Sequence, residues 1–281
     1  MRTHEVRGGD GLKLHVREWG RGDAPPILLI HGWSQSHRCW QKQFDSPLAD
    51  EFRIIALDLR GHGMSDAPLD ARNYTEARLW AEDIDAVIRQ LEADRPVLVG
   101  WSYGGFIICD YLRAFGQSGI AGINLVGGAV TLEPKAFGTL IGPGFLEPFQ
   151  GATADDLPSN FEAMRRFLRG CVAKPLPADL YEEALCWNVM VPAKVRLAMV
   201  QREIRSEDVL GSLNLPVLVT HGDADIVVLP AMAEHVLAAC PMAKVSWFEG
   251  VGHAPHLEDP ARFNAELAEF ARSVHAVPMA S

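Results

Sequence analysis

The sequence predicts an α/β fold built on a mostly parallel sheet, and three patterns along the chain support this prediction. Six short runs are almost continuously apolar, as strands are when helices cover both faces of a sheet. Amphipathic helical patterns alternate with these runs. Two runs of alternating apolar and polar residues flank a Gly-Asp-Gly turn at 9–11, which is typical of an antiparallel hairpin. We therefore expect an N-terminal hairpin followed by a parallel sheet with helices on both faces.

The predicted elements follow one another in a regular order. The hairpin strands are expected at 4–8 and 12–19, and the buried strands at 27–30, 53–57, 97–99, 120–126, 216–220 and 244–248. Helices are expected at 75–91, 103–115, 230–239 and 260–275. The last two begin on proline, which fits the first position of a helix. In folds of this class, ligands bind beyond the carboxyl ends of the strands.

One stretch interrupts the alternation of strands and helices. Between residues 131 and 208 the helical patterns 160–171, 180–190 and 193–205 occur without a comparable strand run. We predict a core domain formed by residues 1–130 and 209–281. The intervening residues 131–208 are predicted to form a helical cap insertion placed over the site.

Composition limits the classes of partner. The chain has 281 residues, of which 48% are hydrophobic, and a net charge of −10, which disfavours nucleic acid and anionic membranes. The N-terminus lacks the apolar segment of a signal peptide, and no run reaches the ~18 apolar residues of a membrane helix. We expect a cytoplasmic protein that binds neither nucleic acid nor membrane. Whether it pairs with a second copy of itself is left open.

Ser102 is the predicted nucleophile. It follows the apolar run 97–99, precedes a helical pattern, and lies between Gly100 and Gly104. A strand that turns abruptly into a helix leaves its turn residue projecting above the sheet, where side chains two positions away on either side would clash. The helix that starts at Tyr103 would then direct its first amides at negative charge forming beside the serine oxygen.

A serine hydroxyl needs a base, and His253 is the best placed of the ten histidines. It follows the last predicted strand in a loop whose glycines allow a tight turn. His256, three residues later, is expected to be a pocket residue or a hydrogen-bonded structural group. Asp225 follows the preceding strand and is predicted to hold the histidine, whereas Asp223 is better placed to bind backbone amides.

The chain order Ser102, Asp225, His253, together with the serine turn and the helical insertion, resembles the α/β-hydrolase fold superfamily. The His-Gly-Trp segment at 31–33 is similar to the turn that supplies an oxyanion donor in that superfamily. The resemblance implies an oxyanion hole formed by the backbone N–H groups of Trp33 and Tyr103.

Residues 58–66 resemble the superfamily's D-x-R-G-x-G-x-S motif, which has a structural role there. The resemblance places Asp58, Arg60 and His62 outside catalysis. His31 is expected to brace its turn rather than act as a base.

A serine nucleophile indicates acyl transfer, whereas an aspartate at this position would indicate an epoxide hydrolase or haloalkane dehalogenase. The motifs are most similar to those of cofactor-free esterases known as non-haem haloperoxidases or perhydrolases, and of related lactonases. This resemblance implies hydrolysis of small esters through an acyl-enzyme, with a peracid side reaction. No cofactor is implied, and the scattered cysteines and other ligand residues indicate no metal site.

Aromatic and aliphatic residues of the insertion are candidates for the substrate pocket, although ordinary packing of the cap on the core would also account for them. These residues are Phe137, Leu140, Ile141, Phe145, Leu146, Phe149 and Trp187. They favour a substrate with an apolar acyl or alcohol group. Three other functions use the same fold: a C–C bond hydrolase of meta-cleavage products, a hydroxynitrile lyase, and a small-molecule receptor.

Overall fold

The structure, a computed structural model that describes residues 1–276, contains an eight-stranded sheet. Its strands are β1 Arg2–Arg7, β2 Lys13–Trp19, β3 Pro26–Ile30, β4 Arg53–Leu57, β5 Val97–Trp101, β6 Gly122–Val126, β7 Val217–Gly222 and β8 Ala243–Phe248. The spatial order is β1-β2-β4-β3-β5-β6-β7-β8. The β1–β2 and β2–β4 pairs are antiparallel, and all others are parallel. The predicted fold class is confirmed.

Helices connect the strands. They are α1 Gln41–Phe44, α2 Leu48–Glu51, α3 Arg72–Thr75, α4 Ala77–Gln90, α5 Gly104–Phe115, α6 Pro143–Ala152, α7 Leu157–Gly170, α8 Ala178–Met190, α9 Ala193–Met199, α10 Glu207–Gly211, α11 Pro230–Ala239, α12 Pro255–Glu258 and α13 Pro260–His275. Within residues 1–276, none of them is both long and apolar enough to cross a membrane.

The central strands are buried on both faces because helices cover the sheet from both sides. In β3, Leu28 and Ile30 belong to one hydrophobic cluster, and Ile27 and Leu29 belong to the other. Successive side chains of a strand point to opposite faces, so the two clusters lie on opposite sides of the sheet. Helices α4 and α5 contribute to the first cluster and α13 to the second.

Five α-helices of the described chain, α6 to α10, lie between β6 and β7. The prediction that the last helical pattern of this stretch continues to Arg205 is wrong, because α9 ends at Met199. The chain instead turns so that Ile204 forms an isolated bridge with Leu132, with N–O distances of 2.8 and 2.9 Å. This bridge joins the beginning and the end of the stretch. The division into core and cap stays a prediction, and residues 277–281 of the predicted core lie outside the described residues.

Helix α6 has no counterpart in the sequence prediction because its segment is rich in glycine and proline. Pro143 occupies the first turn, where the missing N–H costs nothing, and Pro148 lies inside the helix. Packing against α7 and the core therefore outweighs an unfavourable local preference.

Candidate active site

Ser102 follows the last residue of β5 in a strained turn. Its φ of 55° lies in the left-handed region, which is unfavourable for residues other than glycine. A Cβ added to Gly100 would lie 2.7 Å from the carbonyl oxygen of Gly104, and one added to Gly104 would lie 2.6 Å from that of Ile30. The glycines on both sides of the serine are therefore required by the close approach of strand and helix.

Hydrogen bonds on both sides hold Ser102 in this conformation. Its N–H donates to the carbonyl of Val126 at 3.0 Å, and its own carbonyl accepts from the N–H groups of Gly105 and Ala129, each at 3.0 Å. Strained residues persist where the surrounding structure over-determines them, and such residues cluster at active sites.

A buried carboxylate and imidazole pair lies at the ends of the neighbouring strands. Nδ1 of His253 donates to Oδ2 of Asp225 at 2.7 Å, and Oδ1 of Asp225 accepts from the N–H groups of Val227 and Val228 at 2.8 and 3.0 Å. Burial by itself raises the pKa of the Asp225 carboxyl, but His253 and His221 outweigh that effect and hold the pKa at about 2. Asp225 is therefore ionised at neutral pH, and it fixes the orientation of the imidazole.

The histidine loop is attached to the serine turn by the residue before the serine. The indole N–H of Trp101 donates to the backbone carbonyl of His253 at 2.8 Å. Nε2 of His253 is buried and has no hydrogen-bond partner in residues 1–276. The carboxyl ends of β5, β7 and β8 thus bring Ser102, Asp225 and His253 to one edge of the sheet.

The predicted oxyanion donors lie beside the serine. A Cβ on Gly32 would be 2.9 Å from Cβ of Ser102, so the turn that carries Trp33 packs directly against the serine. Trp33 and Tyr103 both line the pocket that contains Ser102. Neither of their backbone N–H groups donates a hydrogen bond elsewhere within the described part of the chain.

His31 and His62, near the turn 31–33, make structural hydrogen bonds. Nδ1 of His31 donates to the Gly32 carbonyl at 2.8 Å, and its Nε2 accepts from the N–H of Leu59 at 3.0 Å. Nε2 of His62 accepts from the N–H of Ser34 at 3.2 Å. Nδ1 of His62 donates to the Arg60 carbonyl at 2.8 Å. Both nitrogens of each ring thus have partners, as expected for bracing groups.

Asp58 and Arg60 make hydrogen bonds and ion pairs with residues outside the candidate active site. Asp58 accepts from the N–H and Nδ1 of His37, each at 2.8 Å, and from the N–H of Met64 at 3.0 Å. Arg60 forms a fully buried ion pair with Asp83, with two contacts of 2.7 Å. These contacts hold loops against the core.

One cluster of side chains able to bind a metal ion is not predicted from the sequence, because its members come from separate elements. His15 of β2 lies near His37 and Asp58, with one possible ligand atom from each within 4.8 Å of the others. The three hydrogen bonds that Asp58 already accepts fit a braced turn better than an open metal site.

The second histidine of the loop matches neither of its two expectations: it is not in the wall of the pocket that contains Ser102, and it makes no side-chain hydrogen bond within residues 1–276. His256 is fully buried, with ring centroids 4.4 Å from Trp40 and 4.6 Å from Trp101, and neither ring nitrogen has a partner within residues 1–276. Its ring is thus packed among aromatic residues rather than hydrogen-bonded, and burial lowers its pKa well below the usual value. Asp223 accepts from the N–H of Gly250 at 2.7 Å, as expected of a turn aspartate.

Ser102 opens into a mainly apolar pocket. Its wall consists of Trp33, Ser102, Tyr103, Phe106, Ala129, Leu132, Ile141, Phe145, Phe167, Val200, Val227 and Val228. Two of these, Phe145 and Phe167, pack edge-on against the Trp33 ring with centroid distances of 5.2 and 5.1 Å. The polar side-chain groups of this wall are the Ser102 hydroxyl, the Tyr103 hydroxyl and the Trp33 indole N–H. The rest of the wall is apolar and favours an apolar ligand group.

Of the seven pocket candidates predicted from the sequence, Ile141 and Phe145 line this pocket. Phe137 is 45% exposed and absent from the wall. Trp187 is buried, but it lies elsewhere, with its indole N–H donating to Oε1 of Gln35 at 2.8 Å. Phe137 and Trp187 thus lie outside this wall, and sequence alone does not distinguish an aromatic residue that faces a pocket from one that packs elsewhere.

A sheet of this topology with a serine on a strained strand-to-helix turn defines a hydrolase of the α/β class. The chain belongs to the alpha/beta hydrolase family, whose model matches residues 27–266. Two solved structures are similar over 98% of this chain and all of their own, each at 34% identity. They are a putative aryl esterase from Burkholderia cenocepacia, with a TM-score of 0.93, and the esterase RhEst1 from Rhodococcus sp. ECU1013, with a TM-score of 0.91.

A bifunctional esterase/perhydrolase, DCH, from Acinetobacter calcoaceticus is 27% identical over 280 residues, which cover 94% of this chain and 98% of the relative. These similarities extend over almost the whole chain.

Proposed function

We propose that the protein is a serine hydrolase that cleaves small carboxylic esters through an acyl-enzyme, with Ser102, His253 and Asp225 as its catalytic triad. The observation that carries the proposal is the strained Ser102 turn beside the buried Asp225–His253 pair. The names of the esterase relatives support ester hydrolysis. The substrate is accordingly a small molecule with an ester bond.

The chemistry starts with proton transfer. Nε2 of His253 accepts the Ser102 proton as Oγ attacks the ester carbonyl carbon, and the Asp225 carboxylate stabilises the imidazolium that forms. The carbonyl oxygen becomes an oxyanion that accepts hydrogen bonds from the Trp33 and Tyr103 amides. When this intermediate collapses, the C–O bond to the alcohol breaks, and the alcohol leaves with the proton from His253.

The second half of the cycle releases the acid. A water molecule gives a proton to Nε2 of His253 and attacks the acyl carbon, and the resulting intermediate expels Ser102, which takes the proton back. Peroxide in place of this water would give a peracid, and the esterase/perhydrolase relative supports that side reaction.

The residues 131–208 would act as a cap that completes the pocket. Five wall residues come from this stretch: Leu132, Ile141, Phe145, Phe167 and Val200. Since the wall is almost entirely apolar, we expect substrates with an uncharged acyl or alcohol group.

Turnover of p-nitrophenyl acetate and p-nitrophenyl butyrate tests the proposal. Wild type should release p-nitrophenol at a steady rate, and Ser102→Ala should lose at least about 10³-fold in kcat because it lacks the nucleophile. Ser118→Ala, which changes an exposed serine, is the matched control and should retain full activity. An acyl phosphonate should add to wild type and not to Ser102→Ala, as measured by intact mass.

Other outcomes separate the alternatives. A folded wild type without turnover of any ester or lactone would favour a receptor. Cleavage of a cyanohydrin or of a C–C substrate in the absence of esterase activity would favour a lyase or a C–C hydrolase. Near-normal activity of Ser102→Ala would refute the assignment of the nucleophile.

A further inference from the structure

Three consecutive residues of the turn that carries the Trp33 amide are hydrogen-bonded to helices of the 131–208 segment. The indole N–H of Trp33 donates to the carbonyl of Arg196 at 3.0 Å. The hydroxyl of Ser34 donates to the carbonyl of Asn188 at 3.0 Å. The side chain of Gln35 is hydrogen-bonded to α8, the helix that contains Asn188. The segment therefore contacts this turn as well as the pocket.

The contacts of Gln35 are the most specific of these. Its Oε1 accepts from the indole N–H of Trp187 at 2.8 Å and from Nδ2 of Asn188 at 3.2 Å, and its Nε2 donates to Oδ1 of Asn188 at 3.2 Å. All three residues are at most 5% exposed. A buried polar group that loses its partner is costly, so this arrangement fixes where Gln35 lies.

Gln35 in turn holds the peptide group that carries the proposed oxyanion donor. The backbone N–H of Gln35 donates to the carbonyl of Gly32 at 3.3 Å, together with Nδ1 of His31 at 2.8 Å. That carbonyl belongs to the same peptide group as the Trp33 N–H. A peptide group is planar, so fixing the direction of its C=O also fixes the direction of its N–H.

The turn is also strained, so it depends on such contacts. Ser34 has a φ of 62°, in the left-handed region, where a residue with a side chain costs of order 1 kcal/mol. Its N–H is held by His62 from the core and its hydroxyl by Asn188 from α8. The strained residue is therefore held by the core on one side and by α8 on the other.

We propose that Trp187 and Asn188 are positioning residues for the oxyanion hole, acting through Gln35 on the Gly32–Trp33 peptide. The inference rests on the proposed ester hydrolysis. It gives the cap a second role, because a segment that closes the pocket would also set the geometry of the donor that binds the developing charge.

The variant Trp187→Phe tests this, because it keeps an aromatic ring and removes the N–H. We expect kcat for p-nitrophenyl butyrate to fall about 10-fold and KM to stay within about two-fold, since the oxyanion exists only after attack. Affinity for a phenylboronic acid, whose serine adduct places an oxygen in the oxyanion hole, should fall by the same factor. A purely structural role would not separate kcat from KM in this way.

Two further variants complete the test. Gln35→Met removes the amide that contacts Trp187 and Asn188, and it should also lower kcat while leaving KM unchanged. The kcat of the double variant should be little lower than that of the less active single variant, because both substitutions break the same contact. Glu183→Gln is the matched control: it lies on α8 and pairs with Arg38 at 2.8 Å, but both side chains are exposed. It should leave kcat, KM and boronate affinity unchanged.

The outcomes separate this inference from the proposed function. An active wild type whose Trp187→Phe and Gln35→Met variants keep normal kcat and boronate affinity would overturn the positioning role alone. The same holds if kcat falls only in proportion to the loss of folded protein. A wild type that hydrolyses no ester and forms no boronate adduct would overturn the proposed function, and the positioning role with it.

Discussion

Oδ2 of Asp225 accepts a hydrogen bond from Nδ1 of His253 at 2.7 Å, although the two residues lie 28 positions apart. The other carboxylate oxygen is occupied by two backbone amides, so the carboxylate has one orientation. Nδ1 therefore carries the proton, and Nε2 is left as the acceptor that a general base needs.

Asp225→Asn should keep the fold and lose activity. The amide nitrogen cannot accept from Nδ1–H, so the imidazole would be held in the wrong tautomer, and we expect kcat/KM to fall roughly 10⁴-fold. Steady-state kinetics on p-nitrophenyl butyrate, with circular dichroism as a check of folding, measures this. Asp223→Asn is the control: the Asp223 side chain accepts from the Gly250 amide in the loop after β8, and this variant should stay within about three-fold of wild type. A larger loss in Asp223→Asn would reverse the assignment.

Gly100→Ala should damage the serine turn. Its Cβ would lie 2.7 Å from both the Gly104 carbonyl oxygen and Cδ1 of Ile108, so the strand or the helix must move. We expect a loss of roughly 2 kcal/mol in stability and a larger fractional loss in kcat than in KM, because the nucleophile is displaced. Thermal unfolding and kinetics measure the two effects.

Gly211→Ala provides the matched substitution. Gly211 lies in α10, and its nearest neighbour to an added Cβ is a carbonyl oxygen at 3.4 Å, an ordinary contact. Alanine in a helix is favoured over glycine by roughly 0.5–1 kcal/mol, so this variant should be at least as stable as wild type. Equal behaviour of the two alanine variants would contradict the steric argument.

Local sequence pattern predicts those candidate site residues that directly follow single strands. Ser102 is marked by flanking glycines, and His253 and Asp225 by their positions just after apolar runs. The sheet order does the rest, because parallel neighbours place all their carboxyl ends at one edge. The strand bounds differ from the predicted ones by two residues or fewer.

Contacts between distant segments could not be predicted in the same way. An aromatic residue in a helix of the 131–208 segment gives the same sequence pattern whether it faces a pocket or packs on a core loop, and the sequence therefore makes Trp187 and Phe145 equal candidates for the pocket. The bridge between Leu132 and Ile204 has no local signal either, because a single pair of residues has no periodicity. Hydrogen bonds between distant segments determine these positions, and such bonds cannot be predicted from the local pattern of one sequence.

Phe145→Ala should change the preference for acyl chain length. Phe145 lines the pocket and packs edge-on against Trp33, so removing its ring enlarges the space beside Ser102. Each additional buried CH₂ contributes roughly 0.8 kcal/mol, so the kcat/KM ratio of p-nitrophenyl octanoate to acetate should rise about 10-fold or more. Phe161→Ala, which removes a 40% exposed ring from α7 outside the pocket wall, should leave this ratio unchanged. A ratio unchanged in both variants would show that the acyl chain lies elsewhere.

Stability should fall as the pH drops below about 6.5, because two buried histidines resist protonation. Burial lowers the pKa of His62 to about 4 and that of His31 to about 3. In the unfolded chain both titrate near the usual value of about 6.5, so below that pH the unfolded state takes up protons that the folded state does not. The free energy of unfolding therefore decreases with falling pH, and the contribution of His62 stops growing near pH 4.

The variant His62→Gln isolates this contribution. Its amide oxygen can still accept from the Ser34 N–H, but the side chain does not titrate. Urea unfolding between pH 7.5 and 4.5 should give a smaller fall in stability for the variant than for wild type, by roughly 2–3 kcal/mol. At pH 7.5 the His62 ring is neutral in the folded and the unfolded wild type. The difference in stability between wild type and variant at that pH therefore reports only the altered packing. Parallel stability curves over the whole range would mean that His62 is protonated equally in the folded and unfolded states.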